Sequence, residues 1–434
     1  MCSSDLDMAK ELHENKDTEE RLILVGIELE DKDSPSAMAV EACLDELEEL
    51  VNTAGATAVA RTIQRREKVH PAHYLGKGKI EELKMMIHTY DATGIVCDDE
   101  LSPAQLKNLE KMLETKVMDR TIVILDIFAG RAISGEGKIQ VELAQLKYRM
   151  SRLTGMGASM SRLGGGIGTR GPGEKKLETD RRHIKERIAE LNRELKEIQT
   201  HRELLRSQRS KKGTPVVSLV GYTNAGKSTT LNVLTQAGVL AEDKLFATLD
   251  TTTRKVELPG GSEILLTDTV GFIQKLPHHL IQAFRATLEE LKYADILLHV
   301  VDASNPNREE QMRVVYDTLR GLGCEDTPVI TVYNKMDREV ELPLPMDRMA
   351  REIVQISAGK QMGLEQMLAT IEKLLKSFRK SMTVLLPYTE GALAGWVHGR
   401  CEIIREEHTA EGVLLEVYVD EEAANRLKSF TVEG

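Results

Sequence analysis

Gly221-Tyr222-Thr223-Asn224-Ala225-Gly226-Lys227-Ser228 lies between two stretches of different character. Val216-Val217-Ser218-Leu219-Val220 before it is an apolar run of strand length, and Thr229-Thr230-Leu231-Asn232-Val233-Leu234 after it opens a helix. Strand, glycine-bounded turn and helix form the setting in which a backbone loop cradles phosphate groups. The turn's N–H groups and the positive helix end both attract anions. Lys227 is then placed to reach the β- and γ-phosphates, and the Ser228 hydroxyl to hold Mg²⁺. A tight turn carrying a chance lysine is the bland alternative. The four fixed positions and both flanks count against it.

The chain has 434 residues, too many for one core, and about three domains are expected. Its five cysteines, Cys2, Cys43, Cys97, Cys324 and Cys401, form no C-x-x-C pair, which argues against zinc and against a disulfide framework. They read as packing residues and suit a reducing cytosol, so a cytoplasmic location is expected. No run approaches about 18 apolar residues, so no membrane span is expected. Residues 1–20 are polar and lack the apolar segment of a signal peptide, and they read as a disordered tail. The net charge of −11 makes the whole chain a poor general polyanion binder, and no DNA partner is expected.

Residues 21–136 alternate strand and helix signals and are expected to form an α/β domain with a parallel sheet. Leu22-Ile23-Leu24-Val25-Gly26-Ile27 reads as a buried strand, and Val40, Leu44, Leu47 and Val51 make a helical apolar face. A second strand opens at Thr57, a helix covers residues 79–88, and Gly94-Ile95-Val96-Cys97 is a third strand. Ser102-Pro103 starts another helix, with serine as cap and proline in the first turn. His73-Tyr74-Leu75-Gly76-Lys77-Gly78-Lys79 resembles an anion-friendly turn but lacks phosphate-loop spacing, so an ordinary capped turn is the expectation.

Residues 137–213 read as an antiparallel helical hairpin. Leu177, Ile184, Ile188, Leu191, Leu195 and Ile198 form a near-heptad stripe, expected from ordinary helix–helix packing. The tip is glycine-rich and basic. It contains Arg152, Arg162, Arg170, Lys175, Lys176, Arg181 and Arg182, candidate contacts to RNA phosphates. Aromatic residues are sparse there, so base stacking is not expected, and a solvated loop with chance charge is the alternative. Residues 214–378 carry the phosphate loop, and residues 382–434 read as a small α+β domain. Its strands lie near Ile403-Ile404 and Val413–Val417, and the single tryptophan, Trp396, is given a core role.

Downstream motifs name the base. The strand Ile264-Leu265-Leu266-Thr267 leads into Asp268-Thr269-Val270-Gly271. Asp268 can hold Mg²⁺ through water, and the Gly271 amide can sense a γ-phosphate. Val329-Ile330-Thr331-Val332-Tyr333 ends in Asn334-Lys335-Met336-Asp337. The Asp337 carboxylate can accept from a guanine N1–H and exocyclic amine, neither of which adenine offers. Lys335 packs under the ring and Asn334 holds the loop. Ser357-Ala358-Gly359, after a strand ending at Ile356, fits the place where an amide reads the guanine O6. Phe272 follows Gly271, where many GTPases place a water-orienting glutamine. Slow intrinsic turnover with stimulation by a partner is one expectation, and mere packing of Phe272 is the other.

In this order the motifs resemble those of the translation-factor class of P-loop GTPases. The segment Leu245-Phe246-Ala247-Thr248-Leu249-Asp250-Thr251-Thr252-Thr253-Arg254, the run Asp268–Phe272 with Leu276-Pro277-His278, and the loop 164–174 narrow the resemblance. The chain is similar to the HflX family of ribosome-associated GTPases over nearly its whole length. The resemblance implies a P-loop GTPase domain with an N-terminal α/β domain, an antiparallel helical hairpin and a small C-terminal domain. It also implies that Phe246, Ala247, Thr248, Leu249 and Asp250 line the nucleotide. The residues alone leave the switch threonine open among Thr248, Thr251, Thr252 and Thr253; the resemblance selects Thr248 as the one joining Ser228 on Mg²⁺. Thr251 departs from it, standing where the family often has proline.

The catalytic set on this reading is Lys227, Thr248 and Gly271. Asn224 occupies the place at which related GTPases hold K⁺. A monomer is expected, with GTP and GDP as ligands and the large ribosomal subunit and its rRNA as partners. The implied work is splitting, rescue or recycling of ribosomes. The alternative is a GTP-gated RNA-binding factor in large-subunit assembly.

Overall fold

Leu22 to Ile27 form the centre of a strand whose side chains are buried on both faces, as a continuous apolar run requires in a covered parallel sheet. That strand is β1 (Arg21–Leu29). With β2 (Thr57–Arg66), β3 (Gly94–Cys97) and β4 (Lys116–Asp119) it makes a four-stranded parallel sheet in the order β2-β1-β3-β4. In a computed structural model of the chain, residues 19–30, 39–160, 172–210, 214–235, 245–246, 251–275, 288–378, 380–419 and 421–432 are described. The chain groups into two compact units, one of Met1–Ile127 with Arg149–Arg181, the other of Phe128–Tyr148 with Arg182–Gly434.

In the first unit, α1 (Val40–Thr53) buries Cys43, Leu44, Leu47, Leu50 and Val51. Helix α2 (Lys77–Thr89) buries Ile80 and Leu83. Helix α3 (Pro103–Leu113) begins with a full capping box: Gln105 N–H donates to Ser102 Oγ, and the Gln105 side chain accepts from Ser102 N–H. The turn before α2 has Gly76 at the N-cap with no side-chain cap hydrogen bond, so the expected side-chain-capped turn does not form. Tyr74 adopts φ +62, and its hydroxyl donates to Asp99 at 2.7 Å.

In the first unit two elements were not foreseen, β4 and α4 (Arg120–Arg131). The run Thr121-Ile122-Val123-Ile124-Leu125 is rich in β-branched residues and still forms a helix, because tertiary burial overrides propensity. At its start Arg120 is 2 % exposed and forms ion pairs with Asp98, at 2.8 Å, and with Glu46. Asp119, fully buried, receives Leu101 N–H and the guanidinium of Arg152, at 2.7 Å.

Helices α5 (Gly135–Met160) and α6 (Pro172–Ser210) form the expected hairpin legs. Glu142 meets Arg187 and Glu136 meets Arg202, an antiparallel order. Leu143, Leu191 and Leu195 form its core with Ile139, Leu146 and Ile188 packed alongside, so Ile188, Leu191 and Leu195 of the apolar stripe are helix packing.

In the second unit a six-stranded sheet has the order β10-β9-β8-β5-β7-β6. Its strands are β5 (Val216–Gly221), β6 (Thr252–Glu257), β7 (Glu263–Asp268), β8 (Ile296–Asp302), β9 (Val329–Asn334) and β10 (Glu352–Gln355). Only β6 runs antiparallel, against β7. Helices α7 (Lys227–Thr235), α8 (Arg308–Leu322) and α9 (Leu364–Phe378) accompany it. The C-terminal strands β11 (Lys380–Leu386), β12 (Glu402–His408) and β13 (Val413–Val419) pair antiparallel in the order β11-β13-β12. Helices α10 (Gly391–Arg400) and α11 (Glu421–Leu427) pack on that sheet through Leu393, Val397, Ala423 and Leu427. Trp396 sits at the border of this core with the Arg426 guanidinium 4.5 Å above its ring. Among the described residues no helix is long and apolar enough to cross a membrane.

The Arg120 cluster yields a stability prediction. Arg120→Ala leaves the buried carboxylates of Asp98 and Glu46 without their cation, which is expected to cost about 3–5 kcal/mol. Urea denaturation followed by far-UV circular dichroism should show early unfolding of the N-terminal sheet.

Candidate nucleotide site

The sheet order puts β5 between β7 and β8, so the loop leaving β5 emerges at the centre of the sheet's C-terminal edge. Ligands of open α/β sheets bind at this edge. Gly221 ends β5 with φ +149, and a Cβ there would lie 2.2 Å from the Val300 carbonyl oxygen. Gly226 has φ +97, and a Cβ there would lie 2.2 Å from Asn334 Nδ2. These two close approaches require glycine. Between them Asn224 adopts φ +59, an αL position that asparagine tolerates.

Lys227 opens α7 and is 6 % exposed. Its ammonium donates to the carbonyls of Gly221, at 3.0 Å, and Tyr222, at 2.7 Å. Burial pushes it down to about 8, with the Asp268 carboxylate acting against the shift. Ser228 Oγ donates to Asp268 Oδ2 at 2.6 Å. Thr229 is half-buried on the same turn, and Thr230 donates to Gly226 O at 2.9 Å. Asp268 is fully buried at the end of β7, and Thr269 Oγ1 donates to the Leu219 carbonyl at 2.6 Å. Val270 is buried, and Gly271 packs so closely on the loop that a Cβ would lie 3.1 Å from Lys227 Nζ.

The Asn334–Asp337 and Ser357–Gly359 motifs converge on the same edge. Asn334 Nδ2 donates to the Ala225 carbonyl at 2.9 Å, and Asn334 Oδ1 accepts from Ala358 N–H at 3.0 Å. Lys335 has φ +64 and pairs with Asp302 at 2.7 Å. Met336 N–H donates to the Ile356 carbonyl. Asp337 Oδ1 accepts from Ser357 Oγ at 2.6 Å, and this hydroxyl holds the carboxyl below its ordinary range, so it stays an acceptor. Gly359 is exposed in the following turn.

Phe246 is buried and meets the Phe128 ring edge-on at 4.7 Å. Ala247, Thr248, Leu249 and Asp250 lie outside the described residues, as do Arg162 and Arg170. The side chains of Lys175 and Lys176 lie outside them too. Arg152 of the basic set is engaged by Asp119, whereas Arg181 is half-buried and Arg182 exposed.

Asp302, the partner of Lys335, and all of β8 escaped the sequence reading. The run Ile296-Leu297-Leu298-His299-Val300-Val301-Asp302 was a sufficient strand signal. Tyr222 was expected in the loop, but not the bond its hydroxyl makes, which accepts from Gln274 N–H at 2.9 Å.

One hydroxyl and one carboxylate on facing elements suit a hard cation completed by phosphate and water, the usual habit of Mg²⁺. Among the described residues there is no cluster of three or more His, Cys, Asp or Glu that could hold a metal ion. This fold and this site define a P-loop GTPase. Three family descriptions match the chain: GTP-binding GTPase N-terminal over residues 41–129, GTP-binding GTPase Middle Region over 131–209, and 50S ribosome-binding GTPase over 216–335. GTPase HflX of Lacrimispora saccharolytica is 57 % identical over 412 residues, covering 95 % of this chain and 96 % of that protein. GTPase HflX of Caldanaerobacter subterraneus subsp. tengcongensis is 48 % identical over 426 residues, covering 98 % and 96 %. Among solved structures, a crystal structure of SsGBP with GDP aligns at 24 % identity with a TM-score of 0.45, covering 82 % of this chain and 98 % of that one. The chain belongs to the HflX family of GTPases.

Gly226→Ala forces a side chain onto a positive-φ backbone and against Asn334. Nucleotide affinity is expected to fall about tenfold or more, measured by titration with a fluorescent GDP analogue. A pH effect comes from His299, which lies beside Val220 in the sheet and is 1 % exposed. Burial pushes its imidazole down from 6.5 to about 4, Asp347 opposing and Lys227 assisting. A depressed histidine contributes stability that is complete above pH 6.5 and is lost as pH falls towards 4. The loss is about 3 kcal/mol. His299→Gln should flatten that limb of the stability profile measured by denaturant titration.

Proposed function

We propose that this GTPase works on the large ribosomal subunit, hydrolysing GTP to GDP and phosphate there to split, rescue or recycle ribosomes in the cytoplasm. The observation that carries the guanine reading is Asn334, whose amide joins the phosphate loop to the Ser357–Ala358 turn while Asp337 is kept anionic beside it. A phosphate cradle and a carboxylate that accepts from guanine are thereby parts of one hydrogen-bonded body.

In the proposed mechanism, the backbone from Gly221 to Thr229 wraps the phosphates. Lys227 moves from its two carbonyl acceptors to the β/γ-phosphate oxygens and stabilises charge there. Gly271, against Lys227, offers its N–H to the γ-phosphate. Asn334, Lys335, Met336 and Asp337 hold the base with Ser357, Ala358 and Gly359. Ser228, Asp268 through water, and Thr248 are the residues that would hold Mg²⁺, which when bound neutralises charge on the phosphate oxygens. Asn224 is the residue that would take K⁺, a further positive charge beside the phosphates.

Phe272 is 1 % exposed, with its N–H donating to Gly221 O at 3.1 Å and its carbonyl accepting from Thr223 N–H at 2.8 Å. It packs and cannot orient water, which supports slow turnover by the free protein. The hairpin tip supplies the ribosome contact in this proposal, with Arg162, Arg170, Lys175, Lys176, Arg181 and Arg182 neutralising rRNA phosphates. The description of the 216–335 match, 50S ribosome-binding GTPase, supports the same partner.

Single-turnover hydrolysis with and without purified large subunits tests the proposal. Large subunits should raise the rate at least tenfold, more in K⁺ than in Na⁺ buffer, and deletion of residues 154–173 should remove the stimulation. An equally fast free protein refutes it. Light scattering of intact ribosomes with a non-hydrolysable GTP analogue separates splitting, which lowers the signal, from an assembly factor that only binds.

A further inference from the structure

Phosphate loops hold their ligand through backbone, so the side chain after the first glycine is open to other work. In this chain it is Tyr222, only 4 % exposed. Three hydrogen bonds join its neighbourhood to the segment that follows Asp268. Phe272 N–H donates to Gly221 O at 3.1 Å, and Thr223 N–H donates to Phe272 O at 2.8 Å. These two are a parallel backbone bridge between Tyr222 and Phe272 that any side chain would permit. The third, Gln274 N–H to Tyr222 Oη at 2.9 Å, depends on the identity of residue 222, because phenylalanine has the ring and lacks the acceptor. The phenol reaches past the bridge and takes hold of the chain three residues beyond Gly271. At the near end of the same segment, a Cβ on Gly271 would lie 2.9 Å from Thr223 Cα and 3.1 Å from Lys227 Nζ. The stretch from Gly271 to Gln274 thus packs closely on the loop at one end and is hydrogen-bonded to it at the other.

We infer that the Tyr222 hydroxyl is a positioning group that lets the site distinguish a nucleoside triphosphate from a diphosphate. It holds the segment bearing the Gly271 N–H in place before the γ-phosphate arrives. Without it, triphosphate binding must order that segment at its own expense, whereas a diphosphate makes no use of Gly271 and is indifferent. The inference rests on the guanine-nucleotide reading of the site and concerns only how the γ-phosphate is read.

Tyr222→Phe deletes the one oxygen and keeps the packing. Affinities for GDP and for a non-hydrolysable GTP analogue are measured on the full chain beside wild type, together with amide exchange of residues 271–275. The GTP analogue should bind about 3- to 10-fold more weakly, the value of one buried hydrogen bond. GDP affinity should change less than twofold, the kcat/KM for GTP should fall with the analogue's affinity, and exchange across 271–275 should quicken. Equal weakening for both nucleotides reduces the hydroxyl to general support of the loop and overturns the inference, as does an unchanged ratio with unchanged exchange. Failure of wild type to bind either nucleotide instead overturns the GTPase reading itself.

Discussion

The side-chain amide of Asn334 makes two hydrogen bonds in opposite senses, giving a proton to the Ala225 carbonyl and taking one from Ala358 N–H. The residue ends the interior strand β9, is 2 % exposed, and joins loops that are more than 100 positions apart in the chain. Its approach explains why position 226 must be glycine: a Cβ would collide with the donating nitrogen. The neighbouring strand β8 imposes the same condition on Gly221 through the Val300 carbonyl. The spacing of glycines in the phosphate loop therefore follows from what the sheet brings against that loop.

Around this clamp the charged groups already have partners within the protein. Lys227 sits on two carbonyls, Ser228 on Asp268, Lys335 on Asp302 and Ser357 on Asp337. On the proposed reading, a nucleotide entering here would exchange hydrogen bonds more than add them, so the net gain for each contact is far below its gross strength. Selectivity then depends on groups whose alternative partner is poor. A fully desolvated ammonium, with its pKa pushed down to about 8, is such a group, because only anionic oxygens fully compensate its burial.

The two units differ in how far their order could be anticipated. In the phosphate-loop sheet, the apolar runs of β5, β7 and β9 each end in a polar motif, so strand and function were legible together. Strand β8 carries the same kind of run, and nothing in its composition says that it lies beside β5. In the N-terminal sheet, β1 and β3 were equally clear, while β4 and α4 were not. Their boundary is set by Arg120, whose burial is tolerable only because Asp98 and Glu46 converge on it from other elements. Local patterning cannot report such a convergence. For the same reason Arg152 looked like a free cation in sequence, and its pairing with Asp119 emerges only when α5 and β4 are seen together.

What the residues determined alone is the chemistry of the loops: glycines where the backbone must turn, a lysine and a serine at a helix start, and Asn334 to Asp337 after a strand. Those choices are local, since each depends on neighbours a few positions away. Tertiary structure decided which loops meet. It set β5 between β7 and β8, brought Asn334 to Ala225, turned Phe272 inward and laid the Tyr222 phenol on Gln274. Those contacts span tens of residues and depend on strand order, which short-range periodicity does not encode.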